Sequence, residues 1–223
     1  MKILVKKTYI QSLVFILIIL IILILTISCS RSKPEISFGF MTLVLYQADP
    51  EPVERFSFFI IPEDEDGIEN LDELFIYHDR EQLRWRIKSD EWIKLSHEGK
   101  EWIGTRSLSA RDGALPRGVF RAVLANKSGE SSERTFTFDG NVRYDFPEFE
   151  ITDGLYRLKS DWPANRLVCY DRSGNYIMTV NLTSRSGSVS QLNLTQSVRT
   201  VALWAEDEAN FCSAFTNAVL IGR

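Results

Sequence analysis

The chain has 223 residues, with 26 Lys+Arg against 30 Asp+Glu and a formal net charge of −4. That acidic balance lacks the basic footprint that nucleic-acid binding requires. The length allows one large or two small domains, enough to bury a packed core.

Lys2, Lys6 and Lys7 precede an uninterrupted apolar run, Leu13 to Leu25, followed by Thr26-Ile27-Ser28-Cys29-Ser30. Basic residues, then an apolar stretch, then small residues are the order of an export signal. The thirteen uncharged residues suit a signal core better than the roughly 20 of a bilayer span. Counting Tyr9, Ile10, Thr26 and Ile27 gives a marginal span, so an uncleaved single-pass anchor stays open as the alternative. Cys29 directly after Ser28 resembles the cleavage and lipid-attachment site of bacterial lipoproteins. The usual box has Leu three places before the cysteine. Here Leu25 stands one place further out, as in the relaxed boxes of spirochaete lipoproteins. The resemblance implies a signal peptide over 1–28, a Cys29 that carries acyl groups such as palmitate, and a short tether over 29–35. It places the body on the periplasmic or extracellular side of an inner or outer membrane.

Without the three leader lysines, 23 Lys+Arg face 30 Asp+Glu, a net charge of −7. No polybasic stretch for headgroup binding remains. With Cys29 assigned to lipid, Cys169 and Cys212 are an even pair, and an oxidising compartment favours a disulfide between them. Closing that loop would stabilise the fold by roughly 4 kcal/mol on the chain-entropy account. Two buried free thiols are the alternative.

After the polar tether, a period of two dominates. Ile36–Tyr46 is a near-continuous apolar run of strand length, and Arg55–Ile61 has apolar residues in both alternations. Leu83-Arg84-Trp85-Arg86-Ile87-Lys88 alternates strictly, one face apolar and the other cationic, which predicts a half-buried strand. Trp92–Ser96 and Glu101–Ile103 flank His97-Glu98-Gly99-Lys100 as a hairpin, and Val119–Ala125 and Arg134–Phe138 flank Asn126–Glu130 as another. Further strands are predicted at Phe149–Ile151, Leu155–Lys159, Arg166–Tyr170, Tyr176–Thr183, Gln191–Leu194, Thr200–Ala205 and Phe211–Ile221. The best helical candidate after residue 30 is Glu69–Leu74. Short strands separated by turns imply an all-β protein of antiparallel sandwich modules behind an N-terminal signal or anchor helix. The entry Leu115-Pro116-Arg117-Gly118-Val119-Phe120 resembles the last hairpin of immunoglobulin and fibronectin type III modules. Asp139-Gly140-Asn141 marks the boundary between a sandwich domain at 36–140 and a smaller β domain at 141–223.

Pro62–Glu73 puts Asp64, Asp66, Gly67 and Glu73 at positions three, five, six and twelve of a calcium loop. Position one is Pro62, without a ligand oxygen in its side chain, and a strand precedes it where a calcium hand has a helix. A solvated acidic turn is therefore the expectation, and a metal site the alternative. His78 and His97 are the only histidines. Neither stands at zinc-ligand spacing, His78 suiting a strand-end hydrogen bond to Asp79 or Arg80 and His97 a turn. No nucleophile elbow exists. The carboxylates Asp90/Glu91 and Glu206/Asp207/Glu208 fall in turns rather than across a cleft. Trp85 shares its alternation with Leu83 and Ile87 and belongs in the core, whereas Trp92 and Trp102 are candidates for an exposed ligand face. The Arg84, Arg86, Lys88 stripe offers an anionic partner a surface, with a solvated sheet face as the ordinary reading.

Glu65-Asp66-Gly67-Ile68, Leu71-Asp72-Glu73-Leu74, Leu83-Arg84-Trp85, Trp102-Ile103-Gly104 and Leu115-Pro116-Arg117-Gly118 together resemble uncharacterised spirochaete lipoproteins, across about half the chain. No known activity comes with that resemblance. The expectation is an envelope lipoprotein acting as a binding or structural module towards a protein or glycan. It carries no catalytic residues, cofactor or metal. An exported enzyme or metal-binding protein using the 62–73 loop is the alternative, as is a single-pass subunit of an envelope complex.

Overall fold

The computed structural model describes residues 32–110 and 114–221. The predicted signal, its apolar run and Cys29 lie outside the described residues. From the tether the chain enters β1 (Glu35–Tyr46) and returns as β2 (Val53–Glu63). It continues through β3 (Leu71–His78), β4 (Leu83–Lys88), β5 (Ile93–His97), β6 (Lys100–Leu108), β7 (Gly118–Asn126) and β8 (Ser131–Phe138). The second half holds β9 (Glu148–Thr152), β10 (Leu155–Lys159), β11 (Ala164–Tyr170), β12 (Tyr176–Asn181) and β13 (Ser186–Ser188). It ends in β14 (Thr200–Asp207), β15 (Cys212–Phe215) and β16 (Val219–Leu220). The only helical segments among the described residues are short 3₁₀ turns, so the protein is all-β as its period of two implies.

These strands make one long sheet and two small ones. The long sheet runs β12-β11-β14-β15-β1-β2-β6-β5, with β16 also on β14. The small sheets are β4-β3-β7-β8 and β13-β10-β9. Each small sheet covers one half of the long sheet's inner face, giving two sandwiches on a common sheet. The first core joins Met41, Leu43, Phe56, Phe58, Ile60 and Ile103 to Leu74, Ile76, Phe120, Ala122 and Leu124 of the facing sheet. The second joins Leu167, Cys169, Val201 and Leu203 to Tyr156 and Leu158. Alternation sets this sidedness. Along β1, Met41 and Leu43 point inward and are buried while Phe38 and Phe40 point outward and are exposed.

The seam between the halves is β1 against β15, parallel in register from Leu43 opposite Cys212 to Tyr46 opposite Phe215. The other strand pairs are antiparallel. Beside the seam, Arg117 donates to Glu54 with both a 3.1 Å and a 3.3 Å bond and through Nε to the Gly140 carbonyl. Its guanidinium also lies over the Phe56 and Phe138 rings. Gly140 sits so tightly there that a Cβ would stand 2.5 Å from the Asn210 carbonyl oxygen. Trp162, Ala205, Cys212 and Ala214 come from the second half of the chain yet lie buried in the first core.

The structure corrects three expectations about elements. Of the helical candidate only Glu69 and Asn70 are helical, in the 3₁₀ turn Ile68–Asn70, and Leu71–Leu74 opens β3, an inner strand of the first small sheet. A register shift between Leu71 and Glu73 sets Leu71 and Leu74 three apart on one face, which imitates a helical period. Gln191–Leu194 is not a strand, because a Ser188 capping box closes a 3₁₀ turn over Val189–Leu192. The polar stretch before it supplies β13 instead. The apolar run to Ile221 breaks after Phe215, where the Thr216 hydroxyl accepts the Leu203 N–H in place of a strand carbonyl.

Because Trp162 bridges the halves, Trp162→Ala is expected to cost about 3–5 kcal/mol. Urea unfolding followed by circular dichroism should still give one transition at a lower midpoint. A biphasic curve with one unmoved phase would show that the halves unfold separately.

Candidate functional site

The outward side chains of the long sheet's first half form an aromatic face. Phe38 and Phe40 on β1 stand beside Phe59 and Ile61 on β2, then Trp102 on β6, then Leu95, opposite Trp102, on β5. The Trp102 indole receives Phe38 edge-on at 5.8 Å and Phe40 at 5.4 Å, while Phe40 stacks on Phe59 at 6.1 Å. Gly104 makes this packing possible, since a Cβ there would meet the Phe59 ring at 2.8 Å and the Phe58 carbonyl oxygen at 2.0 Å. Phe38 is 51% exposed, and Phe40 and Leu95 are each 38% exposed. The Trp102 Nε1 donor is enclosed and has no hydrogen-bond partner among the described residues.

Of the tryptophan pair expected on one face, the structure keeps Trp102 and removes Trp92. The Trp92 indole is buried in the first core and donates to the Ile87 carbonyl at 3.1 Å. Trp85 packs against that core partly buried, with its Nε1 on the Ser109 carbonyl. The missed members are Phe38 and Phe40. Their signal was apolar residues in both alternations of β1, which does not say which side is covered.

The acidic 62–73 loop is closed by its own side chains. Asp64 accepts the Asp66 N–H and the Asn70 side-chain amide, and Asn126 Nδ2 approaches it at 3.5 Å. Glu73 is ion-paired with Arg86 across β3 and β4, and Glu69 with Lys94. The side chains that would fill positions three and twelve of a calcium loop are thus committed to different partners. No group of three or more metal-ligating side chains occurs among the described residues.

In the cationic stripe, Arg84 and Arg86 lie over the Phe75 ring, which leaves Lys88 as a solvated member. His78 does not bond Asp79 or Arg80. It is buried at the end of β3, where Nδ1 accepts the Glu81 N–H and Nε2 donates to the Arg117 carbonyl. His97 ends β5 rather than lying in the turn, which narrows to Glu98-Gly99 with positive φ at both. Glu91 accepts the Lys88 N–H, and Asp207 caps the turn before β15 by accepting from Asn210. Glu206 pairs with Arg166, though burial still pushes its carboxyl up. These carboxylates hold turns and strands in place, and Glu206 and Glu208 share the Arg166 guanidinium.

The Cys169–Cys212 disulfide is overturned, because both thiols are free and buried. The intervening β14 shows why. Cys169 lies opposite Val201 and Cys212 opposite Asp207, an offset of about 20 Å along the strand at ~3.3 Å per residue. A disulfide needs Cα atoms within about 7 Å.

In fold class, this is an all-β protein, a double β-sandwich on a shared sheet. No family model matches the chain, and no curated protein matches it in sequence. Among solved structures, Tp47, the 47-kilodalton lipoprotein of Treponema pallidum, is similar over 84% of this chain at 12% identity, with a TM-score of 0.43. The chain spans about half of that protein, 51% of its length. Dimeric latent PorU from Porphyromonas gingivalis is similar over 85% of this chain and 20% of its own, at 13% identity and a TM-score of 0.30. Murine CEACAM1b is similar over 82% of this chain and 99% of its own, at 8% identity and a TM-score of 0.25.

Burial pushes both the Cys169 and the Cys212 thiol up to about 11. Folding therefore favours the protonated form. Its contribution to stability is full below the ordinary thiol range and is lost as pH rises from about 9 through about 11. A thiol reagent at pH 8 should label neither cysteine in the folded protein and both in denaturant. Absence of labelling in denaturant would restore the disulfide.

Proposed function

We propose that the protein is a lipid-anchored envelope protein whose double sandwich serves as a binding or structural module and not as an enzyme. The observation that carries this is the order at the N-terminus: three lysines, the Leu13–Leu25 run, Ser28, then Cys29, only six residues before β1 begins at Glu35. Among the described residues no helix is long and apolar enough to cross a membrane. Several acyl chains on Cys29 give stable anchoring where one chain gives only reversible binding.

The binding role follows from what the body displays. Its charged side chains are largely occupied in cross-strand pairs and turns, while an aromatic sheet face stays open. Partners for such a surface are a protein or glycan of the envelope, or the membrane itself. An uncleaved single-pass anchor is the second reading, favoured by the marginal length of the apolar segment.

The test is the intact mass of the membrane-extracted chain, wild type and Cys29→Ala. The lipid-anchor reading expects a product beginning at residue 29 with added acyl mass, and loss of that product in the variant. A full-length unmodified mass establishes the single-pass anchor instead.

A further inference from the structure

We propose that the outer aromatic face of the long sheet is a membrane-docking surface, seating Phe38, Phe40, Trp102 and Leu95 at the headgroup–acyl boundary of phospholipid. This rests on the lipid-anchor reading, and three observations commit it to lipid.

The first is reach. Asn126 Nδ2 donates to the Ser32 carbonyl at 3.0 Å, fastening the tether to the β7–β8 turn. Only two residues, Ser30 and Arg31, then separate the clamp from Cys29, a reach of three residue steps. A fully extended chain spans at most ~3.6 Å per residue, so Cys29 stays within about 11 Å of this point on the body. The body cannot stand off from the bilayer that holds the acyl chains. Phe38 lies six residues beyond the clamp, about 20 Å at full extension, at the end of the long sheet where the chain enters.

The second is charge. Strand alternation places Arg55, Lys100 and Arg106 on the same outward side as the aromatics, and all three are exposed. None of them forms a salt bridge among the described residues, where the other Arg and Lys side chains of β3 to β8 are largely paired or stacked. Arg55 lies over the Tyr46 ring and keeps its charge available. The same alternation puts Glu35 and Glu63, opposite one another, on this side at the end beyond Phe38 and Ile61, where Glu63 and Asp64 line a hollow with Lys100. Aromatic side chains flanked by three cations outside any salt bridge match an interface in which apolar rings meet the acyl boundary and phosphates lie above it.

The third is area. Phe38, Phe40 and Leu95 at their exposures present on the order of 250 Å², taking ~200 Å² for a whole large side chain, and half-buried Trp102 is less exposed than any of them. A stable interface between two copies takes about 800 Å² from each partner. The surface is too small to hold a second copy alone, whereas a tethered body needs only a supplementary contact.

The experiment uses the mature lipidated chain reconstituted into phosphatidylcholine–phosphatidylglycerol vesicles, with and without bromine-labelled acyl chains. Bromine quenches tryptophan at short range. The expected result is a loss of emission up to the share of one of the five tryptophans, absent in Trp102→Phe and reduced in Phe38→Ser/Phe40→Ser. The wild-type measurement stands even if a variant fails to fold. A chain that floats with the vesicles, carries acyl mass on Cys29 and shows no bromine quenching overturns the docking surface while the lipid anchor survives. Shielding of Trp102 from both bromolipid and aqueous acrylamide overturns it in favour of a second copy or a protein partner. A chain without acyl mass that does not float overturns both readings.

Discussion

Everything in this fold depends on β1 having a partner on each edge. Its whole length pairs with β2, and its C-terminal third pairs with β15. Through that second edge the long sheet becomes continuous, so the two cores form on one sheet instead of as beads on a linker. The inward residues next to the seam, Ala205, Cys212 and Ala214, are small and fully enclosed, and Trp162 belongs to the same cluster. Arg117 ties β2, the loop before β7 and the segment after β8 to this region with charge-assisted bonds. The bulge in β1 between Ile36 and Phe38 is met in the same way, with Arg134 of β8 donating to the carbonyls of Ile36 and Ser37.

Where a strand keeps strict alternation, its sequence shows both its extent and its sidedness. Leu83–Lys88 is the case in point, with Ile87 buried and Arg84, Arg86 and Lys88 outward. Where a bulge interrupts alternation, the pattern misleads, as at Leu71–Leu74, because one extra residue changes a spacing of two into three. The seam was illegible for a different reason. Parallel pairing of residues 43–46 with 212–215 leaves no local trace in either segment. It depends on the path of the intervening chain, and so does the distance that keeps Cys169 from Cys212.

The outer face was only half legible. Trp92 and Trp102 look symmetrical in sequence, one on each arm of a hairpin, yet they serve opposite sides of the sheet. Trp92 precedes β5 and turns inward to the Ile87 carbonyl, while Trp102 pairs with Leu95 and looks out. Burial of Phe59 and Ile61 on that outward side comes from the neighbouring rings, not from a second layer of strands. A run such as Phe56–Ile61, apolar in both alternations, is equally consistent with either arrangement.

The parallel seam also imposes an order of events on a chain made from its N-terminus. Residue 43 is in place long before its seam partner, residue 212. Until β15 has emerged, that edge of β1 has no strand to receive its N–H and C=O groups, and it lies beside the most apolar surface of the sheet. The inward side chains of the seam likewise have no floor. Closure of the long sheet therefore waits for β15, and the unpaired edge of β1 is what a holding chaperone would have to cover until then.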